Sequence, residues 1–163
     1  MKLIRFPLLF CCFCTLLLLP GCSRKPQNPD GRLDVSGTIT LNGGPFEKAD
    51  MRTIIFDPLD DPSSGISSTT FDLATGQYLC TMQDALSPGR YRVKIIAQAL
   101  YDKRTNKPVG PDFGQQGDDD DGQGYWVPLI PPTFNAESTL EFEVVSGKKN
   151  VFDYDVVAEV KLP

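Results

Sequence analysis

Polar and apolar residues alternate with a period of two along much of this chain, and that regularity excludes most ways of folding it. Over 90–95, Arg90, Arg92 and Lys94 alternate strictly with Tyr91, Val93 and Ile95. The same pattern runs through 140–144 and 152–156, and through 33–41, where Gly37 is the one break in an otherwise apolar face. A β-strand sends successive side chains to opposite faces, so each of these segments predicts a strand buried on one side. Weaker runs over 51–57, 66–73 and 76–83 bring the number of predicted strands to seven. Turn formers separate them: Asn42-Gly43-Gly44, Thr75-Gly76, Ser87-Pro88-Gly89 and Ser146-Gly147. No stretch carries a helical period. The expectation is an all-β domain over 33–163, a seven-stranded antiparallel Greek-key sandwich with polar outer faces and enough chain to bury a core.

The first 32 residues follow a different logic. Lys2 and Arg5 precede the uncharged stretch 8–19, the layout of a signal peptide. That run falls short of the roughly 20 residues needed to cross a bilayer. It ends in Leu19-Pro20-Gly21-Cys22, which resembles the bacterial lipobox, with Pro20 departing from the usual small residue. The resemblance implies removal of 1–21 and acylation of Cys22, whose thiolate is the nucleophile that takes the lipid. Two acyl chains hold a protein on a membrane durably where one is marginal. Residues 22–32 then form the lipidated cysteine and an extended tether broken by Pro26 and Pro29. The expected location is the cell envelope, and Ser23 after the cysteine favours the outer membrane where a cell has two.

Five cysteines are present, but Cys11, Cys12 and Cys14 leave with the leader. Cys80 then remains as a lone thiol, expected to be buried and inert, and it supports neither a disulfide framework nor a metal cluster. Without Lys2 and Arg5, fourteen Lys and Arg face twenty-one Asp and Glu, a balance of about −7, which argues against a nucleic-acid partner. There is no histidine, so Ser-His-Asp and Cys-His catalysis and the usual zinc sites are excluded. Glu141 with Glu143, and Asp153 with Asp155, are carboxylate pairs spaced by two on outward strand faces and read as solvated surface. No catalytic residue and no cofactor is expected.

Residues 99–137 break the pattern. Nearly forty residues without clear periodicity predict a long irregular insertion. It holds Asp118, Asp119, Asp120 and Asp121, weak candidates for a calcium site; EF-hand spacing fails, and a solvated, self-repelling run is preferred. Tyr125 and Trp126, the single tryptophan, are candidate ligand contacts. The preferred role for Trp126 is to cover the sandwich edge, because Val127, Leu129 and Ile130 follow it and need burial. The alternative is an exposed stacking platform for sugar or peptide.

The stretch "VSGTITLNGGPFEKADMRTIIFDP" over 35–58 resembles the start of carboxypeptidase regulatory-like domains, which are prealbumin-type sandwiches. "LSPGRYRVKI" over 86–95 is similar to that family's Pro-Gly-x-Tyr-x-Val strand. With "TGQYLCTM" and "TLEFEVVSGKKNVFDYDV" the likeness covers roughly 33–98 and 138–158. An immunoglobulin- or fibronectin-like sandwich is the alternative architecture. The resemblance implies a non-enzymatic accessory or adhesion module and supplies no active-site residues. The expected protein is therefore an envelope lipoprotein, on the membrane through its lipid anchor, whose sandwich contacts envelope proteins or polysaccharide. The alternatives are a carbohydrate-binding module using 99–137 and, less favoured, a hydrolase.

Overall fold

The computed structural model describes residues 28, 31–109, 124–160 and 162. Cys22, the leader over 1–21, most of the tether and Asp118 to Asp121 lie outside them. The described chain is all-β and forms two sheets laid face to face. Its strands are β1 (Val35–Leu41), β2 (Met51–Pro58), β3 (Ser67–Thr69), β4 (Gln77–Cys80), β5 (Gly89–Asp102), β6 (Gly124–Pro128), β7 (Leu140–Val144), β8 (Asn150–Val151) and β9 (Tyr154–Val156). The two-sheet expectation is met, with nine strand segments among the described residues in place of seven.

In the smaller sheet β1 is central. It pairs antiparallel with β4 on one side and parallel with β8 and β9 on the other. The parallel pairing departs from the expected all-antiparallel arrangement. Val35 faces Asn150 and Leu41 faces Val156, so β8 and β9 continue one register along β1. Their separation has a local cause. The Thr38 amide donates to the Asp153 carboxylate at 2.8 Å rather than to a main-chain carbonyl, and the Phe152 carbonyl turns in to accept from the Tyr78 hydroxyl at 2.8 Å. Gly37 makes that possible: a Cβ there would lie 1.9 Å from the Phe152 carbonyl oxygen. The break in the alternation at Gly37 is a site of close backbone approach.

The larger sheet is ordered β3-β2-β5-β6, with β7 also on β5. β5 is fourteen residues long and carries two partners on its far edge: β7 opposite its first five residues, Gly89 to Val93, and β6 opposite its last five, Gln98 to Asp102. The expectation of an irregular insertion over 99–137 is thereby corrected at its start and over 124–128. Residues 99–102 complete β5, and 124–128 form β6 against them. Leu129 and Ile130, at 2% and 3% exposure, belong to the core. A turn closed by Asp102, whose carboxylate accepts from the amides of Arg104 and Thr105 at 2.7 Å each, follows β5. These bonds hold the Asp102 carboxyl below its ordinary value.

Between the sheets, Phe56 is ringed by Tyr78, Tyr91, Phe142 and Phe152 at centroid separations of 6.2–6.4 Å. Phe46 and Phe71 meet edge to face at 5.2 Å nearer one flank. Val35, Ile39, Ile54, Val93 and Ile95 are wholly buried. Cys80 is buried with them, as its strand parity predicts. Burial, and secondarily the charge of Asp84, push its thiol up to about 12, so the thiolate form needed for reaction is suppressed.

Candidate functional site

Tyr125 and Trp126 are consecutive on β6, so the pleat sends them to opposite faces. Tyr125 turns toward Tyr101, its partner across the ladder, with ring centroids 6.1 Å apart. Its hydroxyl hydrogen-bonds to the Asn106 side chain. It fastens the β5–β6 ladder to the turn after β5. Trp126 points outward and is 47% exposed. The preferred reading of Trp126 as a buried edge cover is therefore corrected. The burial requirement of Val127, Leu129 and Ile130 is met by the opposite parity of the strand and by the chain turning inward after Pro128, and neither needs the indole.

Register places the neighbours of Trp126 on the outer face of the larger sheet. Leu100 lies directly opposite it, Gln98 opposite Pro128, Met51 opposite Gln98, Thr53 opposite Ile96, and Ile55 opposite Lys94. Met51, Ile55, Ile96 and Leu100 are all half-buried. This half of the face is thus a mainly apolar platform, with Gln98 and Thr53 set among its apolar residues and the indole as its most prominent group. Directly opposed residues of antiparallel strands share a face with their Cβ atoms about 5 Å apart, so these side chains form a continuous surface.

The other half of the same face is charged. Arg90 pairs with Asp60 at 2.8 Å and approaches Glu141 at 3.9 Å, and Lys94 pairs with Asp57 at 2.6 Å. Arg92 stands in register between Asp57 and Glu141. Bonds from Arg90 hold the Asp60 carboxyl low and push the guanidinium up in turn. Surface pairs of this kind contribute little to stability. They leave most charges on this half partnered, so a ligand would find few free ions here and an apolar surface beside them.

Glu141 and Glu143 are exposed on that charged half, and Asp153 and Asp155 on the smaller sheet. Asp155 is occupied structurally: it accepts from the Thr40 hydroxyl at 2.7 Å and the Gly43 amide at 2.8 Å. Among the described residues no group of three or more His, Cys, Asp or Glu side chains could hold a metal ion. No helix of the described residues is long and apolar enough to cross a membrane.

The apolar platform was hidden from the sequence for a physical reason. Alternation is visible only while the outward residues are polar, and along β5 it fades after Lys94, where Ile96 and Leu100 join the apolar set. The loss of periodicity at 96–100 marked an apolar outer face and not the end of a strand.

No protein-family model matches the chain, and no curated protein matches it. Among solved structures, it is similar to a chain described as a candidate adhesin from Bacteroides ovatus, at 14% identity and a TM-score of 0.41 over 86% of the present chain. The match spans 49% of that chain, about half its length.

Proposed function

We propose that this protein is a non-enzymatic envelope lipoprotein, held on the membrane by acylated Cys22, whose β-sandwich is an accessory module that contacts another envelope component through the Trp126 face. The observation that carries the contact surface is the exposure of the single tryptophan on a regular strand, next to half-exposed Leu100, Ile96 and Met51. Tryptophan is a costly residue to leave in water and is enriched at the centres of interfaces, where its large rigid surface is desolvated at little entropic cost. The anchor reading rests on the apolar run that stops at Cys22 and on the proline-broken polar tether behind it. Ser23 after the cysteine supports an outer-membrane location where the cell has two membranes.

The two parts have separate tests. Growth with a labelled fatty acid marks the wild-type chain and not Cys22→Ala; an unlabelled wild type removes the anchor. For the contact surface, photo-crosslinking in intact cells from a reactive group at position 53, within the platform, gives an adduct that Trp126→Ala abolishes. An adduct that persists unchanged in Trp126→Ala removes the Trp126 face from the reading. A sugar stacked on the indole is a second reading, favoured by the flat exposed ring with the polar side chain of Gln98 diagonal to it across the ladder.

A further inference from the structure

The opposite flank of the sandwich, where β3 and β4 end the two sheets without pairing to each other, holds a groove of about 650 Å³. It is lined by Arg52, Thr69, Thr70, Asp72, Gln77 and Leu79, among others. Arg52 has the inward parity of β2 and is half-buried. Its Nε donates to the Phe71 carbonyl at 2.6 Å, which fixes the plane of the guanidinium. Its terminal nitrogens have no hydrogen-bond partner among the described residues.

Asp72 is held just as firmly. Its Oδ1 accepts from the Ala74 amide, the Thr75 amide and the Thr75 hydroxyl at 2.8–3.0 Å. These bonds, the Thr75 hydroxyl first, keep its carboxyl below the usual range. Its Oδ2 accepts from none of the described residues. The hydroxyls of Thr69 and Thr70 and the side-chain amide of Gln77 likewise spend no hydrogen bond on the described protein. Two pre-positioned charged groups of opposite sign, two hydroxyls and an amide thus line one concavity with unspent donors and acceptors. Leu79, 55% exposed, adds an apolar surface.

This inventory selects a ligand class. Arg52 and Asp72 cancel, so the groove does not concentrate anions or cations. Groups that donate and accept in equal measure match hydroxyls, each of which does both. Peptide addition along the strand edge is disfavoured, because the Gln77 carbonyl that an added strand would need already accepts from the Asp72 amide at 2.8 Å. A pyranose ring offers hydroxyls at its rim for the polar groups and a C–H face for Leu79.

We propose that the groove between β3 and β4 binds a neutral saccharide chain, with Arg52, Thr69, Thr70, Asp72 and Gln77 reading its hydroxyls and Leu79 under a ring. The site lies across the sandwich from Trp126 and does not depend on the role proposed for that face.

The test applies the purified full-length chain, in detergent, to immobilised neutral oligosaccharides of glucose, mannose and galactose, with uronate-containing ones beside them. Thr70→Val and Gln77→Leu change exposed side chains that make no side-chain hydrogen bond to the described protein, so both fold. The expected result is retention on at least one neutral series, weakened about tenfold by either substitution, as for loss of one or two hydrogen bonds, and unchanged by Trp126→Ala. Retention on no neutral series, equal retention by both groove variants, or retention on uronates alone overturns the proposal. Loss of retention in Trp126→Ala with the groove variants unaffected also overturns it, and places the sugar on the indole instead.

Discussion

Replacing Gly37 by alanine should unfasten the chain's C-terminal strands from β1, at a cost the geometry allows to be estimated. The added Cβ would stand 1.9 Å from the Phe152 carbonyl oxygen, 2.6 Å from its carbon and 2.9 Å from the Tyr78 hydroxyl. To regain ordinary contact the carbonyl must retreat by about 1.5 Å, given that carbon–oxygen van der Waals contacts begin near 3.4 Å. That retreat breaks the 2.8 Å bond from Tyr78 and strains the 2.9 Å bond from the Phe152 amide to Ser36. Tyr78 is 5% exposed, so its orphaned hydroxyl costs about 1–3 kcal/mol. Forcing an extra methyl into a packed site costs about 1–3 kcal/mol more. The reduced freedom of the unfolded chain returns roughly 0.4–1 kcal/mol. The net is about 1–5 kcal/mol, a sizeable part of the 5–15 kcal/mol typical of a domain, and lowers Tm by on the order of 10 °C. Thermal unfolding followed by far-ultraviolet circular dichroism, on a chain begun at Ser23, measures it. Gly44→Ala is the control: the nearest atom to its Cβ is 3.7 Å away, and it should stay within about 0.5 kcal/mol of wild type. A Gly37→Ala chain as stable as the control would refute the account of why β8 and β9 are separated.

In the same chain Cys80 is the single cysteine, and it should resist a thiol reagent at mildly alkaline pH yet react fully in concentrated guanidinium; rapid labelling of the folded chain would contradict its burial. Leu129→Ala should cost about 2–5 kcal/mol by denaturant unfolding, whereas Trp126→Ala, truncating a half-exposed ring, should cost under about 1 kcal/mol; the reverse order would restore Trp126 to the core. Asp60, Asp61, Asp72, Asp102 and Asp155 all have carboxyls lowered by hydrogen bonds in the folded state. The unfolded chain therefore binds more protons in acid, so the stability these groups contribute is complete above about pH 4 and is lost as pH falls through their folded values. Urea midpoints should be level near neutrality and drop below about pH 4, with a shallower drop in Asp155→Asn, and a midpoint that rises on acidification would overturn that assignment.

The alternating pattern by itself determined the fold class and the positions of most strands, because a half-buried strand must place polar and apolar residues on opposite faces. It determined the burial of Cys80 for the same reason, and the absence of histidine removed whole classes of chemistry. Tertiary structure alone decided three things. The outer face of β5 becomes apolar after Lys94, so the period vanishes while the strand continues, and only its pairing with β6 reveals that 98–102 and 124–128 are a ladder. Gly37 breaks a pattern locally, but only the arrival of Phe152 from 115 residues further along explains why no side chain can stand there. The flank groove joins Arg52 of β2 to Thr70, Asp72 and Gln77 around the β3–β4 connection. Each is an ordinary surface residue in sequence, and they become a set because two sheets end side by side without pairing and leave their polar groups unspent in one concavity.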